Sequence, residues 1–249
     1  MAGHSKWANI RHRKERQDKK KGKVWSKCSK AIMAAARAGG GDPDTNLSLR
    51  YAIDEAKYAN MPKDTIQRAI DKGAGATGGE DWAEVSYEGY GPGGIAVIID
   101  ALTDNRNRTV TDLRTIFKKV GCSLATTGAV SFQFQTKGQI VLDGEYEEEK
   151  VMECALEAGA SDVEAPEAGG AWTILTDPTD FQSVKEAVEG AGMKILEARI
   201  AKIPKESQEI RGEDARKLLA FLEALEDNDD VQNVYSNADI PADELEKMG

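Results

Sequence analysis

The sequence predicts an α+β protein: a helical N-terminal domain followed by two ferredoxin-like units of β-α-β-β-α-β order, one inserted in the other. Three observations carry that expectation. Apolar residues recur at helical spacings of three and four up to about residue 72, and the pattern then changes to that of strands. Beyond that point strand and helix patterns run twice through the same order. Charge divides at the same place. Residues 1–72 hold 17 Lys/Arg against 8 Asp/Glu, residues 73–249 hold 16 against 35, and the 249-residue chain carries −10 in all.

Val24, Cys28, Ile32 (with Ala31) and Ala35 put one apolar face on a helix from Val24 to Ala38. "GGGDP" ends it, with Gly39 just past the end and Asp42-Pro43 as cap and first position of the next helix. Leu49, Ala52, Ile53, Ala56 and Ala59 line that second helix until "NMPKD" breaks it. A third, Lys63 to Lys72, buries Ile66, Ala69 and Ile70 and stops at Gly73. "GAGATGGED" is the composition of a linker, so residues 1–77 form the first domain.

"AEVSYEGY" alternates as a strand, "GPGG" turns, and "IAVIIDAL" is a β-rich apolar run. Residues 106–120 place Val110, Leu113, Ile116, Phe117 and Val120 on one helix face, and "GAVSFQF" follows as a strand. "GQIVLDG", Glu147–Ala158, "DVEAP", "AWTILTD", Thr179–Ala191 and "MKILEARIAKIP" then give β-α-β-β-α-β. The second copy takes 95–102, 106–120 and 128–134 with 199–204, 213–226 and 231–236. The expected division is therefore 78–134 with 199–249 as a discontinuous domain and 135–198 inserted in it.

The composition excludes several classes. No run approaches the roughly 20 apolar residues of a spanning helix, and no apolar segment follows the basic start as in a secretory signal. Cys28, Cys122 and Cys154 are scattered, which fits a reducing compartment. With His4 and His12 as the two histidines, no zinc site is expected. "GYGPGG" has the spacing of a dinucleotide loop, but a strand follows it and Pro92 removes a donor, so it is a hairpin turn. "EYEEEK" and "EDNDD" are helix-start charge and a solvated loop. No catalytic set, metal, cofactor or small-molecule substrate is expected.

Two polar features stand out. Gly3 to Lys23 holds nine Lys/Arg against Glu15 and Asp18. Lys6, Trp7, Arg11, His12, Arg13, Lys14, Arg16, Lys19, Lys20, Lys21 and Lys23 mix cations with rings, as a nucleic-acid contact does. Between Asn9 and Lys21 the one large apolar residue is Ile10, so the arm is expected to order on a polyanion rather than on a fold. "TDNRNRT" is the second feature. Asn105 or Asn107 caps a helix with Arg106 and Arg108 solvated, or else these four residues bind a phosphate or a partner's carboxylate. Position leaves both readings open.

"AGHSKWANIRHRK", "GGGDP", "AIDEAKYANMPKDTIQRAI", "YEGYGPGG" and "LTDNRNRT" together closely resemble the YebC/PmpR family of probable transcriptional regulators, which includes a mitochondrial translational activator of cytochrome oxidase. The match runs from Ala2 to about Phe134 and more loosely to "VYSNADIP". It departs at Ala125, where relatives commonly have glycine. The resemblance implies three domains, the third inserted in the second, and a cytoplasmic, non-enzymatic regulator that works on nucleic acid. Most members are named DNA-binding transcriptional regulators; others look like ribosome-associated translation factors. The partner is thus DNA or ribosomal RNA, with the ribosome itself an alternative and an adaptor role for the acidic domains a third reading. No helix-turn-helix recognition helix is evident, and an Arg/Lys/Trp arm suits RNA cavities as well as DNA grooves.

Overall fold

A computed structural model describes residues 3–75, 82–166, 170–241 and 243–244, with the side chains of residues 3–20 outside the description. The chain is α+β: three helices come first, then two four-stranded antiparallel sheets backed by helices.

The first helix, α1, runs from Gly3 to Gly39 and carries the arm with it. The arm was expected to lack structure of its own; instead its backbone continues the helix. The reason is cooperative. The core segment of α1 supplies the nucleus, after which each Lys, Arg, Gln or Glu adds at little cost. The packed residues of α1 lie between Trp25 and Ala36. Gly40, at φ 89°, terminates the helix one residue later than expected.

Asn46, not Asp42, caps α2 (Leu47–Tyr58), its Oδ1 accepting from the Leu49 N–H at 3.1 Å. Its amide also donates to the Ala35 and Gly40 carbonyls, both at 2.8 Å, closing the end of α1. An aspartate has no donors and could not do both. Helix α3 is Lys63–Ala74. Gly73 is no stop: a Cβ there would lie 2.5 Å from the Met33 carbonyl oxygen, so glycine is what lets α3 approach α1. Leu49, Ile53, Ile66, Ile70 and Ile32 fill the core between the three helices.

The first sheet contains β1 (Ala83–Tyr90), β2 (Ala96–Thr103), β3 (Ser123–Leu124) and β9 (Val231–Ser236), in the order β3-β1-β2-β9. The β1–β2 turn places Gly93 and Gly94 at positive φ, as a hairpin needs. Helices α4 (Arg106–Lys119) and α7 (Gly212–Glu226) cover one face, where Val97 and Ile99 meet Leu113, Phe117, Leu218 and Phe221. Phe117 and Phe221 stack edge-on, with centroids 4.8 Å apart. The alternate residues of β2, Ala96 and Ile98, pack on the other face with Phe134, Leu175, Ala201 and Ile203. Burial on both faces explains the unbroken apolar run.

The second sheet holds β4 (Phe134–Leu142), β5 (Ala160–Glu164), β6 (Trp172–Thr176) and β7 (Ile195–Pro204) in the order β5-β6-β4-β7. With α5 (Glu148–Glu157) and α6 (Phe181–Gly190) on one face, it is the ferredoxin-like unit read from the sequence. A short parallel pair, β8 (Gln208–Glu209) with β10 (Ala238–Asp239), lies apart.

Two strand assignments change. Residues 128–133 form a turn, because the amides of Gly128, Val130 and Ser131 donate to the Glu88 carboxylate instead of to a ladder. Residues 199–204 continue β7, paired to β4 as far as Phe134↔Pro204, and the first sheet takes β1 in their place. We propose the units 1–77, 78–134 with 199–249, and 135–198, with β4 and β7 as the shared edge. Produced alone, residues 134–204 are expected to melt in one cooperative transition. A broad, non-cooperative melt counts against that division.

Candidate nucleic-acid interface

Lys23, Lys27 and Lys30 stand at spacings of four and three, so they share one face of α1. That face meets the C-terminus of α7. Lys23 donates to the Asp227 carbonyl and Lys27 to the Glu226 carbonyl at 2.5 Å. The last carbonyls of a helix carry its negative partial charge, so cations belong there. Burial pushes the Lys27 ammonium down to about 8, against the pull of Glu226. Lys23, expected in the nucleic-acid contact, is bonded within the chain at this seat. Lys21 is exposed. The side chains of Lys6, Trp7, Arg11, His12, Arg13, Lys14, Arg16, Lys19 and Lys20 lie outside the described residues.

Lys30 reaches Asp230 Oδ1 at 2.9 Å, and Asp230 is the centre of the "TDNRNRT" cluster. Asn105 caps α4, its Oδ1 accepting from the Arg108 N–H at 3.1 Å. Arg108 Nη2 then donates to both oxygens of Asp230, at 3.0 and 2.9 Å, and to Asp104 at 2.6 Å. Thr109 donates to Asp230 Oδ2 at 2.8 Å, with Thr103 at 3.2 Å. The Asp230 side chain is only 6% exposed. Burial raises its pKa, but the hydrogen bonds from Lys30, Arg108 and Thr109 outweigh this and bring it to about 2. The hydrogen bonds that Arg108 donates to Asp230 and then to Asp104 raise its own pKa still further.

The cluster thus joins α1, β2, α4 and the turn just before β9 through one carboxylate. Arg108 already has its anions, and the helix-start amide is taken by Asn105, so the cluster does not present both arginines to a partner. Arg106 and Asn107 are exposed. Arg106→Ala is expected to leave stability within about 0.5 kcal/mol, as surface changes do. Arg108→Ala should lower the melting temperature clearly, because Asp230 stays buried with fewer donors. Equal melting temperatures would show that the clamp is not structural.

Sequence reasoning missed Asp230, which lies in the "EDNDD" stretch read as a solvated loop, and missed Thr103, Thr109 and Lys30. The two threonines flanking the arginines were the available signal. A matching tie joins the helices to the second sheet. Lys185, 7% exposed, pairs with Asp54 at 2.5 Å, and Tyr51 stacks edge-on against Phe181. Burial raises Asp54, but hydrogen bonds from Lys185 and Lys57 hold it below the usual carboxylate range. Helix α1 is therefore seated on an acidic body at its Lys23–Lys30 face. Residues 3–22 continue from that seat as a helix about 30 Å long.

Among the described residues there is no His/Cys/Asp/Glu group that could hold a metal, and no helix long and apolar enough to cross a membrane. The three cysteines are free. Ala125, where the family commonly has glycine, keeps φ negative and donates its N–H to the Glu88 carbonyl at 2.8 Å, so alanine fits.

Residues 5–76 match the family model for the TACO1/YebC protein N-terminal domain. Residues 82–238 match the model for the TACO1/YebC second and third domain. A probable transcriptional regulatory protein of Citrifermentans bemidjiense is 48% identical over 248 residues, covering all of both chains. Transcriptional regulatory protein PmpR of Pseudomonas aeruginosa is 50% identical over 249 residues, again covering all of both. The crystal structure of the conserved hypothetical protein Aq1575 from Aquifex aeolicus superposes with a TM-score of 0.82 at 44% identity, covering 90% of this chain and 93% of that one. The chain belongs to the TACO1/YebC family, whose models it matches over residues 5–76 and 82–238.

Proposed function

We propose that the protein is a non-enzymatic, nucleic-acid-binding regulator of gene expression, acting in the cytoplasm, whose contact is the basic N-terminal half of α1. The carrying observation is the seat of that helix. A segment with seven Lys/Arg between Ala2 and Lys20 is rooted, through Lys23, Lys27 and Lys30, in a body of opposite charge. The acidic body repels a polyanion and the helix attracts it, so binding is confined to one end. The relatives' names, transcriptional regulatory proteins, support a role on nucleic acid.

Within this reading, folded RNA on the ribosome is favoured over a DNA groove by one feature. Helix α3, which follows a turn as a recognition helix would, balances exposed Lys63, Arg68 and Lys72 against exposed Asp64 and Asp71. It offers little net charge to a phosphate-lined groove. Co-sedimentation with ribosomes, set against capture of chromosomal DNA fragments at matched salt, separates the two. Binding to neither removes the proposal.

A further inference from the structure

We propose that the groove between α4 and the outer edge of β1 is a second nucleic-acid contact, which takes the phosphodiester backbone of a single strand; it rests on the reading above that the protein binds nucleic acid. Helix α4 carries five of the sixteen Lys/Arg of residues 73–249, with Asp112 as its one acid. Arg114 and Lys118 stand one turn apart, about 6 Å along the axis. Together they form one wall of a groove of about 540 Å³, a size that admits a ligand. Ser123 of β3 and Thr126 and Thr127 of the loop that follows also line the groove and carry hydroxyl donors.

These two cations differ from the body's ion-paired ones. Lys137, Lys185, Lys202, Arg211 and Lys217 each pair with a carboxylate. Among the described residues no carboxylate pairs with Arg114 or Lys118, and both are exposed. The acid in the lining, Glu88, does not face a ligand. Its side chain accepts from the Gly128, Val130 and Ser131 amides at 2.7–2.9 Å, so its charge is spent on holding the loop. The occupant is therefore an anion. Two aromatic rings make it a single strand. Tyr90, 41% exposed, lies beside Ser123 in the β1–β3 pairing, and Phe132, 65% exposed, follows the loop that Glu88 holds. Both rings stand at the loop whose Ser123–Thr127 segment lines the groove, Tyr90 donating its hydroxyl to the Ala129 carbonyl at 3.1 Å, and exposed rings suit unstacked bases, which a duplex does not offer.

The test titrates the full chain with oligouridylate and oligothymidylate of about 20 nucleotides, longer than one site, and with polyglutamate, at several salt concentrations. The variants are Arg114→Ala with Lys118→Ala, the same pair changed to Gln, and Phe132→Ala. Losing two phosphate contacts should weaken strand binding about tenfold near 0.15 M salt and reduce the log–log salt slope by about 1.4. Phe132→Ala should weaken binding with the slope unchanged. Preference between the two strands tells RNA from DNA. If both double variants bind within twofold of the unsubstituted chain while removal of residues 2–20 abolishes binding, the groove proposal fails and the arm reading stands. If the unsubstituted chain binds neither strand, the groove proposal fails, while the arm reading is decided by binding to ribosomes and chromosomal DNA. If Arg114 and Lys118 govern polyglutamate binding alone, the groove takes an acidic protein and the proposal is overturned.

Discussion

Asp230→Ala is expected to destabilise the folded protein by about 3–5 kcal/mol, the cost of breaking a buried ion pair by removing one partner. Four side chains from three elements make five hydrogen bonds to this carboxylate: Lys30 of α1, Thr103 of β2, and from α4 Thr109 and Arg108, which reaches both oxygens through one nitrogen. Removing it leaves Lys30 without this carboxylate and Arg108 with Asp104 alone. In a chain of this size about 1 kcal/mol moves the melting temperature by roughly 2–4 °C, so a fall near 10 °C is expected by calorimetry. Asp230→Asn keeps the shape and loses the charge, and it should fall between the two. The pH dependence has a definite sign. The folded pKa, about 2, lies below the unfolded value of 3.8. The stabilisation is therefore complete above about pH 4 and is lost as pH falls toward 2. Asp230→Ala should remove that acid-sensitive component, so wild type and variant converge in stability at low pH. A variant that melts with the wild type at neutral pH would show that the cluster is a surface feature.

The parts of this structure that were legible in the sequence are those in which near neighbours decide the outcome. The run from Ile95 to Leu102 read as a strand because it is short, apolar, rich in β-branched residues and preceded by a Gly/Pro turn. The helical faces of Leu49, Ala52, Ile53 and Ala56, and of Leu113 and Phe117, followed from spacing alone. What stayed hidden depends on residues far apart in the chain. Asp230 and Arg108 are separated by 122 positions, and Lys185 and Asp54 by 131. No local pattern distinguishes Asp230 from Asp227 or Asp229 beside it, though only Asp230 is buried. The turn at 128–133 was misread for the same reason. Its apolar residues alternate as a strand's do, but Glu88, some forty residues earlier, claims the amides. Arg108 shows how a charge can mislead: an arginine at a helix start reads as an anion site until its internal anion is known. The arm is a different case. Its composition gave the charge correctly, while its helical backbone is borrowed from the packed segment that follows it.

Removing residues 2–20 is expected to abolish most nucleic-acid binding while the remaining chain stays folded. The cut spares Lys23, Lys27 and Lys30, which seat the helix, and the core residues from Trp25 onward. The removed segment holds seven Lys/Arg. If about six of them meet phosphates, counterion release gives a log–log salt slope of roughly −5 on duplex DNA and roughly −4 on single strands. The truncated chain should lose most of that slope, keeping the share of about 1.4 that Arg114 and Lys118 contribute on single strands. Trp7→Ala separates stacking from charge. It should weaken binding by roughly 1–3 kcal/mol if the ring lies on a base, with the slope unchanged because no cation is lost. A Trp7 that packs on the protein instead would show itself as a lower melting temperature with normal affinity. The measurement is affinity for ribosomes, structured RNA and duplex DNA at several salt concentrations, for the intact chain and both variants. The ranking of the three ligands names the physiological class, since one arm meets all three through the same phosphates and differs only in what its aromatic residue finds between them. Equal affinity and equal slope for the truncated and intact chains would mean that the arm is not the contact.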